Sequence, residues 1–432
     1  MKEKIKSWTL GLLVLMSLVQ SYFLIYRLPG GDSAVRSENA YVKTDNMGSE
    51  EKADNLLYPE KLVIHLGGGR HTLFYPRSTF YDLIMNRLQG RNFSSFQRHS
   101  VHDFNWSQIR EENPGMELTF GAGIPVTLLE RIMRVDPDSL FAVESINRIW
   151  IYNDKNNGKA HAVFFSSKGD VVYEAAKADL TIQDVQQHVD FGDSWTPYTT
   201  ESSEYYFPEG EVTVTDVTMP SGLYTIEQMQ SSLFFDAGST RYIREKDGSE
   251  IYTDSKRSLQ VDQGQSWMSY SDPAALPAGD STPAKDVLEA VDFVNQHGGW
   301  NGTYRLETAA EEGTDTERLV NFRQYYRSFP YGAFPVVDTP DLRFGQIRLT
   351  LQQGSIAFYE RSLLYTEQDK AVKRTVQLPG GDALRNKLAS VAQGSRIRDL
   401  SPAYKPVLLD KQLRLTPVWR AILSDGTSLL IE

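Results

Sequence analysis

The chain has 432 residues, of which 40% are hydrophobic, so it is long enough for about two or three folded domains with sizeable cores. Lys and Arg total 45 against 56 Asp and Glu, and the net charge of −11 argues against nonspecific binding to nucleic acid or to an anionic membrane surface as the main activity. There is no cysteine, which excludes disulfide bonds, thiolate zinc sites, iron–sulfur clusters and a cysteine nucleophile.

The N-terminal segment predicts a membrane anchor. Residues 8–26 contain no charged side chain and follow Lys2, Lys4 and Lys6, which lie in a short cytoplasmic tail at residues 1–7. As a helix, residues 8–26 are about 28 Å long, close to the hydrocarbon thickness of a bilayer. The lysines favour a cytoplasmic N-terminus, and an A-x-A-like cleavage site is absent. We therefore expect a single-pass helix in the cell membrane, with the C-terminal bulk of the chain extracellular.

Three polar side chains of this helix form a candidate contact face for a partner. Ser17 and Ser21 are a small-xxx-small pair, and Gln20 lies on the same face by i,i+3 spacing. Such residues can pack against or hydrogen-bond to another transmembrane helix. They are also compatible with a helix that merely tolerates them, and the sequence leaves both interpretations open.

The remainder of the chain predicts a tether and three domains. Residues 27–57 are rich in Gly, Ser, Asn, Asp and Glu, which is typical of a tether. Breaks in the pattern then predict a first extracellular α+β domain at residues 58–200, a central domain with a hairpin at 201–275, and a C-terminal α+β domain at 276–432.

In chain order, the predicted elements alternate between both types. Apolar spacing predicts helices at 78–88, after Pro125, at 181–189, after Thr225, at 283–296 and at 382–392. Alternating apolar residues at 148–173 predict a β-meander. Turn residues predict further hairpins at Lys246-Asp247-Gly248, at Gln353-Gly354 and at Asp425-Gly426. The architecture is therefore expected to be α+β with mainly antiparallel sheets.

Two short motifs suggest chemistry, and each has a simpler interpretation. His99, His102 and Asp103 have a spacing that could bring metal ligands together, but no further ligand is specified and the flanking residues are typical of a loop. Residues 67–69 are three glycines between His65 and His71, without the spacing or the lysine of a phosphate-binding loop. A hairpin turn is the better interpretation of these glycines, and we expect no metal and no cofactor.

A coherent catalytic set is absent from the sequence. There is no G-x-S-x-G motif, and the single S-x-x-K match, Ser49 to Lys52, lies inside the predicted tether. Carboxylates for a glycosidase pair are plentiful, but sequence spacing does not select two of them. We expect a protein that is not an enzyme. An anchored extracellular hydrolase acting on the cell wall, and a module that binds a wall or lipid ligand in a deep aromatic-lined pocket, remain alternatives.

The chain resembles the YycH (WalH) family of Gram-positive bacteria. The short basic leader, the single anchor and the cysteine-free extracellular part contribute to this resemblance. Its most specific part is the segments SLFFD at 232–236, RYIRE at 241–245, DGSEIYTD at 247–254 and RSLQ at 257–260. The segment LTPVW at 415–419 is similar to the end of the companion family YycI.

The resemblance implies a non-enzymatic membrane protein of the WalRK (YycFG) two-component system. Its partners would be a YycI-like protein and the sensor histidine kinase WalK (YycG), in control of cell-wall metabolism. It also implies that transmembrane helices form part of the complex and that the C-terminal domain is similar to YycI. Both restraining and activating effects on the kinase are assigned to the family, so the sign of regulation does not follow.

Overall fold

The computed structural model describes residues 6, 14–17, 47–200, 205–275, 279, 281–309 and 317–432. One unit covers Met1–Lys43, in which Lys6 and residues 14–17 are helical, and a second unit covers Thr44–Glu432. Among these described residues, no helix has both the length and the apolar character needed to cross a membrane. The anchor at residues 8–26 therefore stays a prediction.

The larger unit alternates between short helices and strands along the chain. Residues 53–199 form α1 (Ala53–Leu56), β1 (Lys61–Gly67), β2 (Arg70–Phe74), α2 (Thr79–Leu88), β3 (Asn92–Ser100), α3 (Trp106–Glu112), β4 (Gly115–Pro125), α4 (Val126–Leu129), β5 (Arg134–Asp136), β6 (Ser145–Asp154), β7 (Lys159–Ser166), β8 (Val171–Ala178), α5 (Ile182–Asp190) and β9 (Tyr198–Thr199). Residues 207–431 form β10 (Phe207–Pro208), β11 (Val212–Leu223), α6 (Ile226–Leu233), β12 (Arg241–Arg244), β13 (Glu250–Thr253), β14 (Ser258–Val261), β15 (Trp267–Ser271), α7 (Pro283–Gln296), β16 (Thr303–Thr308), β17 (Glu317–Ser328), β18 (Gly332–Pro335), β19 (Gln346–Gln352), β20 (Ser355–Ser362), β21 (Leu364–Thr366), β22 (Val372–Leu378), α8 (Gly381–Ala392), β23 (Ile397–Leu409), β24 (Gln412–Leu423) and β25 (Ser428–Ile431).

The strands form three sheets. The first has the order β10-β9-β2-β1-β4-β6-β7-β8-β3-β5, and its β3–β5 pair is parallel. The second has the order β21-β11-β24-β23, with β22 beside β11 and β25 beside β24. The third has the order β12-β13-β14-β15-β20-β19-β17-β16, with β18 beside β17. The other strand pairs are antiparallel, so the expected α+β class with mainly antiparallel sheets is confirmed.

Both faces of the first sheet are covered by other parts of the chain. Val63 and Ile64 are adjacent on β1, so their side chains lie on opposite faces, and both are fully buried. Ile64 belongs to a core that also contains Val291 of α7, whereas Val63 belongs to a core with Trp419 of β24. The first sheet therefore shares its hydrophobic cores with both of the other sheets.

Local sequence signals explain several of the elements. The Thr282 side chain caps α7, Pro283 occupies its first turn, and Val287 and Val291 lie on its buried face. Thr181 and Thr225 form capping boxes at the starts of α5 and α6. The predicted hairpins at 246–248, 353–354 and 425–426 are present as the β12–β13, β19–β20 and β24–β25 pairs.

The end of the predicted tether and the predicted central domain both contribute to the larger folded unit. Residues 47–57, the end of the predicted tether, lie in the larger unit and include α1, where Leu56 is buried. Residues 201–275, the predicted central domain, contribute β11 to the second sheet and β12 to β15 to the third. Their strands thus complete sheets that begin elsewhere in the chain. The domain bounds themselves remain predictions.

Candidate partner-binding site

The polar face predicted on the anchor lies mostly outside the described residues. Ser17 belongs to the helical stretch at 14–17 and is exposed, as are Leu15 and Met16 beside it. Gln20 and Ser21 lie outside the described residues. The contact face of Ser17, Gln20 and Ser21 therefore stays a prediction.

Polar side chains on β1, β2, β4, β6 and α3 meet at the first sheet. We call this group the central polar cluster: His65, His71, Arg110, Glu117, Arg148 and Tyr206. The Glu117 carboxylate lies 3.3 Å from His65 Nε2 and accepts a hydrogen bond from Arg148 Nη1 at 3.2 Å. Tyr206 donates to the same carboxylate at 3.3 Å, and Arg110 Nε donates to the Tyr206 hydroxyl at 3.0 Å. The cluster thus joins the first sheet to the segment that leads into β10 and β11.

Burial sets the charge states of this cluster. Burial raises the pKa of Glu117, but Arg148, the bond with His65 and the Arg110 charge outweigh it and hold the pKa well below its usual range. Burial lowers the pKa of His65, and burial, the adjacent His65 imidazole and the Arg110 charge lower the pKa of His71 to about 3. With both imidazoles neutral, His65 donates to Glu117 and accepts at Nδ1 from His71 Nδ1, 3.0 Å away. The polar groups of the cluster thus form hydrogen bonds with one another. We therefore interpret the cluster as a group that stabilises the fold.

A second charged group lies where the first sheet meets the second. Lys61 forms an ion pair with Asp399, and Arg305 lies 3.8 Å from the Glu60 carboxylate. Burial raises the pKa of Glu60, whereas Lys61 overcomes the burial of Asp399 and lowers its pKa. Two carboxyl groups with divergent pKa values can serve acid–base catalysis.

The space beside these carboxyl groups does not suit the hydrolase alternative. Glu60 and Asp399 line a cavity of about 30 Å³. This volume is that of one water molecule and is far smaller than a sugar ring. Within the part of the chain that the structure describes, this carboxylate pair thus has no room for a wall polymer.

Two larger cavities bear on the ligand-module alternative. One of about 600 Å³ is lined mainly by small side chains, including Ala122, Ala142 and Ala284, and its described lining contains no aromatic residue. Another of about 620 Å³ is lined partly by Tyr224 and Tyr365. The first cavity lacks the aromatic lining that this alternative predicts, and in the described lining of the second the two tyrosines stand among polar residues such as Gln228 and Asn301.

The two candidate motifs occupy ordinary structural positions. His99 lies on β3, 3.9 Å from the Glu174 carboxylate, whereas Asp103 accepts from the Ser100 backbone in a capping box. His102 belongs to the same short 3-10 helix. No group of three or more metal-ligating side chains occurs among the described residues. Residues 67–69 form the turn between β1 and β2, as predicted.

The most exposed apolar side chains of the third sheet lie at its β12 edge. We call β12 and β13 the edge hairpin, and all four residues of β12 are exposed. Tyr242 is 53% and Ile243 is 50% exposed, and nearby Phe235, which precedes the hairpin, is 77% exposed. Among the described residues, β12 pairs with β13 alone and so leaves its outer side free. An exposed edge with apolar side chains is a typical protein-binding surface.

The chain that follows the predicted anchor is fixed to the end of α7. We call this contact the N-terminal clamp: Gly48, Ser49, Glu51, Asn295, Gly298 and Trp300. Ser49 and Trp300 exchange backbone hydrogen bonds of 3.0 and 2.8 Å. The Asn295 side chain accepts from the Glu51 N–H and donates to the Glu51 carbonyl, both at 2.9 Å. The chain therefore enters the folded unit through its C-terminal half.

Only part of these features is visible in the sequence. The turn at 246–248 predicts the edge hairpin, but its exposure depends on the position of β12 in the sheet. The clamp was not predicted, because residues 27–57 have tether composition and Trp300 is 251 residues from Ser49. The role of Glu117 was not predicted because its partner His65 is 52 residues away.

Comparisons with known proteins place the chain in a family. Residues 3–193 match the family described as YycH protein, N-terminal domain, and residues 202–425 match YycH protein, C-terminal domain. No curated protein matches the sequence. The crystal structure of YycH from Bacillus subtilis has 15% identity and a TM-score of 0.67, covering 89% of this chain and 98% of that one. An uncharacterized protein from Eubacterium rectale has 9% identity and a TM-score of 0.32, covering 55% and 89%.

The two family matches extend over almost the whole chain, and the similarity to the Bacillus subtilis structure indicates the same fold. The resemblance found in the segments around the edge hairpin is therefore confirmed. This chain belongs to the YycH family.

Proposed function

We propose that this chain is a non-catalytic, membrane-anchored regulator of the sensor histidine kinase WalK (YycG). It would act with a YycI-like protein in the control of cell-wall metabolism. Membership of the YycH family is the observation that carries this proposal, because it implies a regulatory role in the WalRK system and association with the kinase. Its anchor would be the single-pass helix at residues 8–26, with the folded unit outside the cell.

A regulator of this kind acts by binding one signalling state of the kinase better than the other. A coupling free energy of about 1–3 kcal/mol shifts the balance between two states by about 5-fold to 150-fold. The N-terminal clamp supports such coupling, since hydrogen bonds from Ser49 and Glu51 fix the chain after the anchor to α7 and Trp300. A displacement of the chain at residues 48–51 would thus be transmitted to α7 and Trp300 in the C-terminal half of the folded unit.

Two observations support a non-catalytic role. The Glu117 carboxylate is occupied by its own neighbours in the central polar cluster. The Glu60 and Asp399 carboxyl groups face a cavity of about 30 Å³, which has the volume of one water molecule and no room for a polymer. By contrast, the edge hairpin presents Tyr242 and Ile243 to solvent and supports a role in binding another protein.

Replacement of the predicted helix face tests this proposal in the native host. The Ser17→Leu/Gln20→Leu/Ser21→Leu variant keeps the segment apolar, so we expect it to insert normally and to weaken complex formation with the kinase. Replacement of Leu12, Leu15 and Val19, which lie on the opposite face of the predicted helix, by isoleucine is the matched control. Kinase output from a WalRK-dependent reporter and crosslinking yield are the measurements. Unchanged output and yield in the leucine variant would rule out this face as the contact.

A further inference from the structure

The outer side of β12 offers backbone hydrogen-bonding groups to a partner. Glu245 N–H donates to the Ser249 carbonyl at 2.9 Å, one pair beyond the end of the β12–β13 ladder. Hydrogen-bonded pairs alternate along an antiparallel ladder, so Ile243 and Arg241 direct their backbone groups toward β13. Tyr242 and Arg244 then direct theirs outward.

The side chain of Tyr242 on β12 continues a row of apolar side chains that runs across the third sheet from its buried strands. Tyr242 pairs with Tyr252, which pairs with Leu259 and, through it, with Tyr270. Leu259 and Tyr270 are buried, Tyr252 is half-buried and Tyr242 is 53% exposed. Paired residues lie on one face of a sheet, so this apolar row runs from the core to the edge. A further strand beside β12 would extend it.

The charges of the edge specify the chemistry of such a strand. Arg241 and Arg244 lie at the two ends of β12 and are exposed, with Tyr242 and Ile243 between them. Within the described part of the chain neither arginine forms an ion pair, whereas the chain as a whole has a net charge of −11. A complementary strand has acidic residues opposite both arginines and apolar residues between them.

We propose that β12 binds an extended segment of a partner protein by strand addition, and that this segment has the pattern acidic, apolar, apolar, acidic. Main-chain hydrogen bonds to Tyr242 and Arg244 give the affinity, and the alternate side chains give the specificity. This inference deepens the proposed function and rests on it, because it names the surface and the chemistry by which the extracellular part recognises a partner.

A peptide assay with a charge exchange tests the inference. The probe is a blocked, fluorescent peptide TEVIET, and its matched control is TKVIKT, with the full-length protein in detergent. We expect TEVIET to bind at least tenfold more tightly than TKVIKT. The Arg241→Glu/Arg244→Glu variant should reverse this preference, because both side chains are exposed and the change leaves the core intact. Circular dichroism confirms that the variant is folded.

A second variant separates backbone pairing from charge. Arg244→Pro removes an outward N–H group and leaves the bonds to β13 in place, so it should abolish binding of TEVIET, whereas Arg244→Gln should weaken it only several-fold. Equal binding of both peptides, or an unchanged preference in the Arg241→Glu/Arg244→Glu variant, would overturn the inference. The assay contains no kinase, so its failure is distinct from failure of the regulatory proposal.

Discussion

Glu117 is the residue on which the central polar cluster depends. Its carboxylate contacts His65, Arg148 and Tyr206, and it is 5% exposed. Removal of one partner from a buried ionic network leaves the others without compensation for their desolvation. The side chain is therefore important for stability rather than for chemistry.

The Glu117→Gln variant should lower the free energy of unfolding by about 3 kcal/mol, because Arg148 and Arg110 lose the negative charge that they face. Urea denaturation of the unit at residues 44–432 measures the change. Glu130→Gln is the matched control, since Glu130 is exposed, and should change stability by less than about 0.5 kcal/mol. Equal midpoints for both variants would show that the cluster does not stabilise the fold.

Buried histidines predict that the folded unit is sensitive to acid. Burial lowers the pKa of His71 to about 3 and those of His188 and His297 to about 4, from an ordinary value of 6.5. Protons then bind preferentially to the unfolded chain, so stability is full above pH 6.5 and falls as pH drops toward the folded values. The depressed pKa of Glu117 acts in the same direction at lower pH.

Between about pH 6.5 and 4.5, each of these histidines should contribute a loss of about 2 kcal/mol. Urea denaturation across this range measures the loss, and the His188→Gln variant should show a smaller dependence than the wild type. Burial raises the pKa of Asp338 to about 6, which acts in the opposite direction over this range, so the comparison of the two proteins is the test. A His188→Gln variant whose free energy of unfolding falls as steeply as that of the wild type would contradict the neutral, buried state of His188.

At the scale of elements, the N-terminal clamp depends on a close approach of two backbones. A Cβ atom on Gly48 would lie 2.4 Å from the backbone carbon of Trp300. Contacts this short do not occur, and the opposing atoms are backbone rather than a flexible side chain. Glycine at residue 48 is therefore required for the clamp to close.

The Gly48→Ala variant should open the clamp and leave the rest of the unit folded. Hydrogen exchange of the Trp300 amide, which donates to Ser49, should increase at least tenfold in mass spectrometry of peptides covering 297–301. Gly210→Ala is the matched control, because a Cβ atom there meets nothing within 4 Å. Unchanged protection in Gly48→Ala would show that the clamp does not close as described.

The elements that could be predicted are those whose turn and capping residues lie close together in the sequence. The β12–β13 hairpin was predicted because both strands and the turn around Gly248 are contiguous, and the α6 start was predicted from Thr225 and Gln228. The pairing of β11 with β22 and β24 joins residues far apart in the chain and has no local signature. The N-terminal clamp could not be predicted for the same reason, because its two sides are also far apart in the chain. Partner surfaces thus followed from sheet topology rather than from motifs.

At the scale of the whole molecule, the first sheet is the scaffold that unites the chain. Its β1 strand places Ile64 in one core and Val63 in the other, so the halves matched by the two family domains fold against a common element. The segment after the predicted anchor is fixed to α7 by the clamp, and the edge hairpin lies at the far end of the third sheet's strand order. The larger unit therefore carries both the N-terminal clamp and a free surface for a partner.

The most direct test of the regulatory proposal is to identify the proteins bound to the full-length chain in its native host. The tagged protein is crosslinked in intact cells, purified and analysed by mass spectrometry. We expect recovery of the WalK kinase and a YycI-like protein, and loss of both when residues 8–26 are replaced by an unrelated anchor. Recovery of neither protein, from membranes in which the kinase is detected, would contradict it.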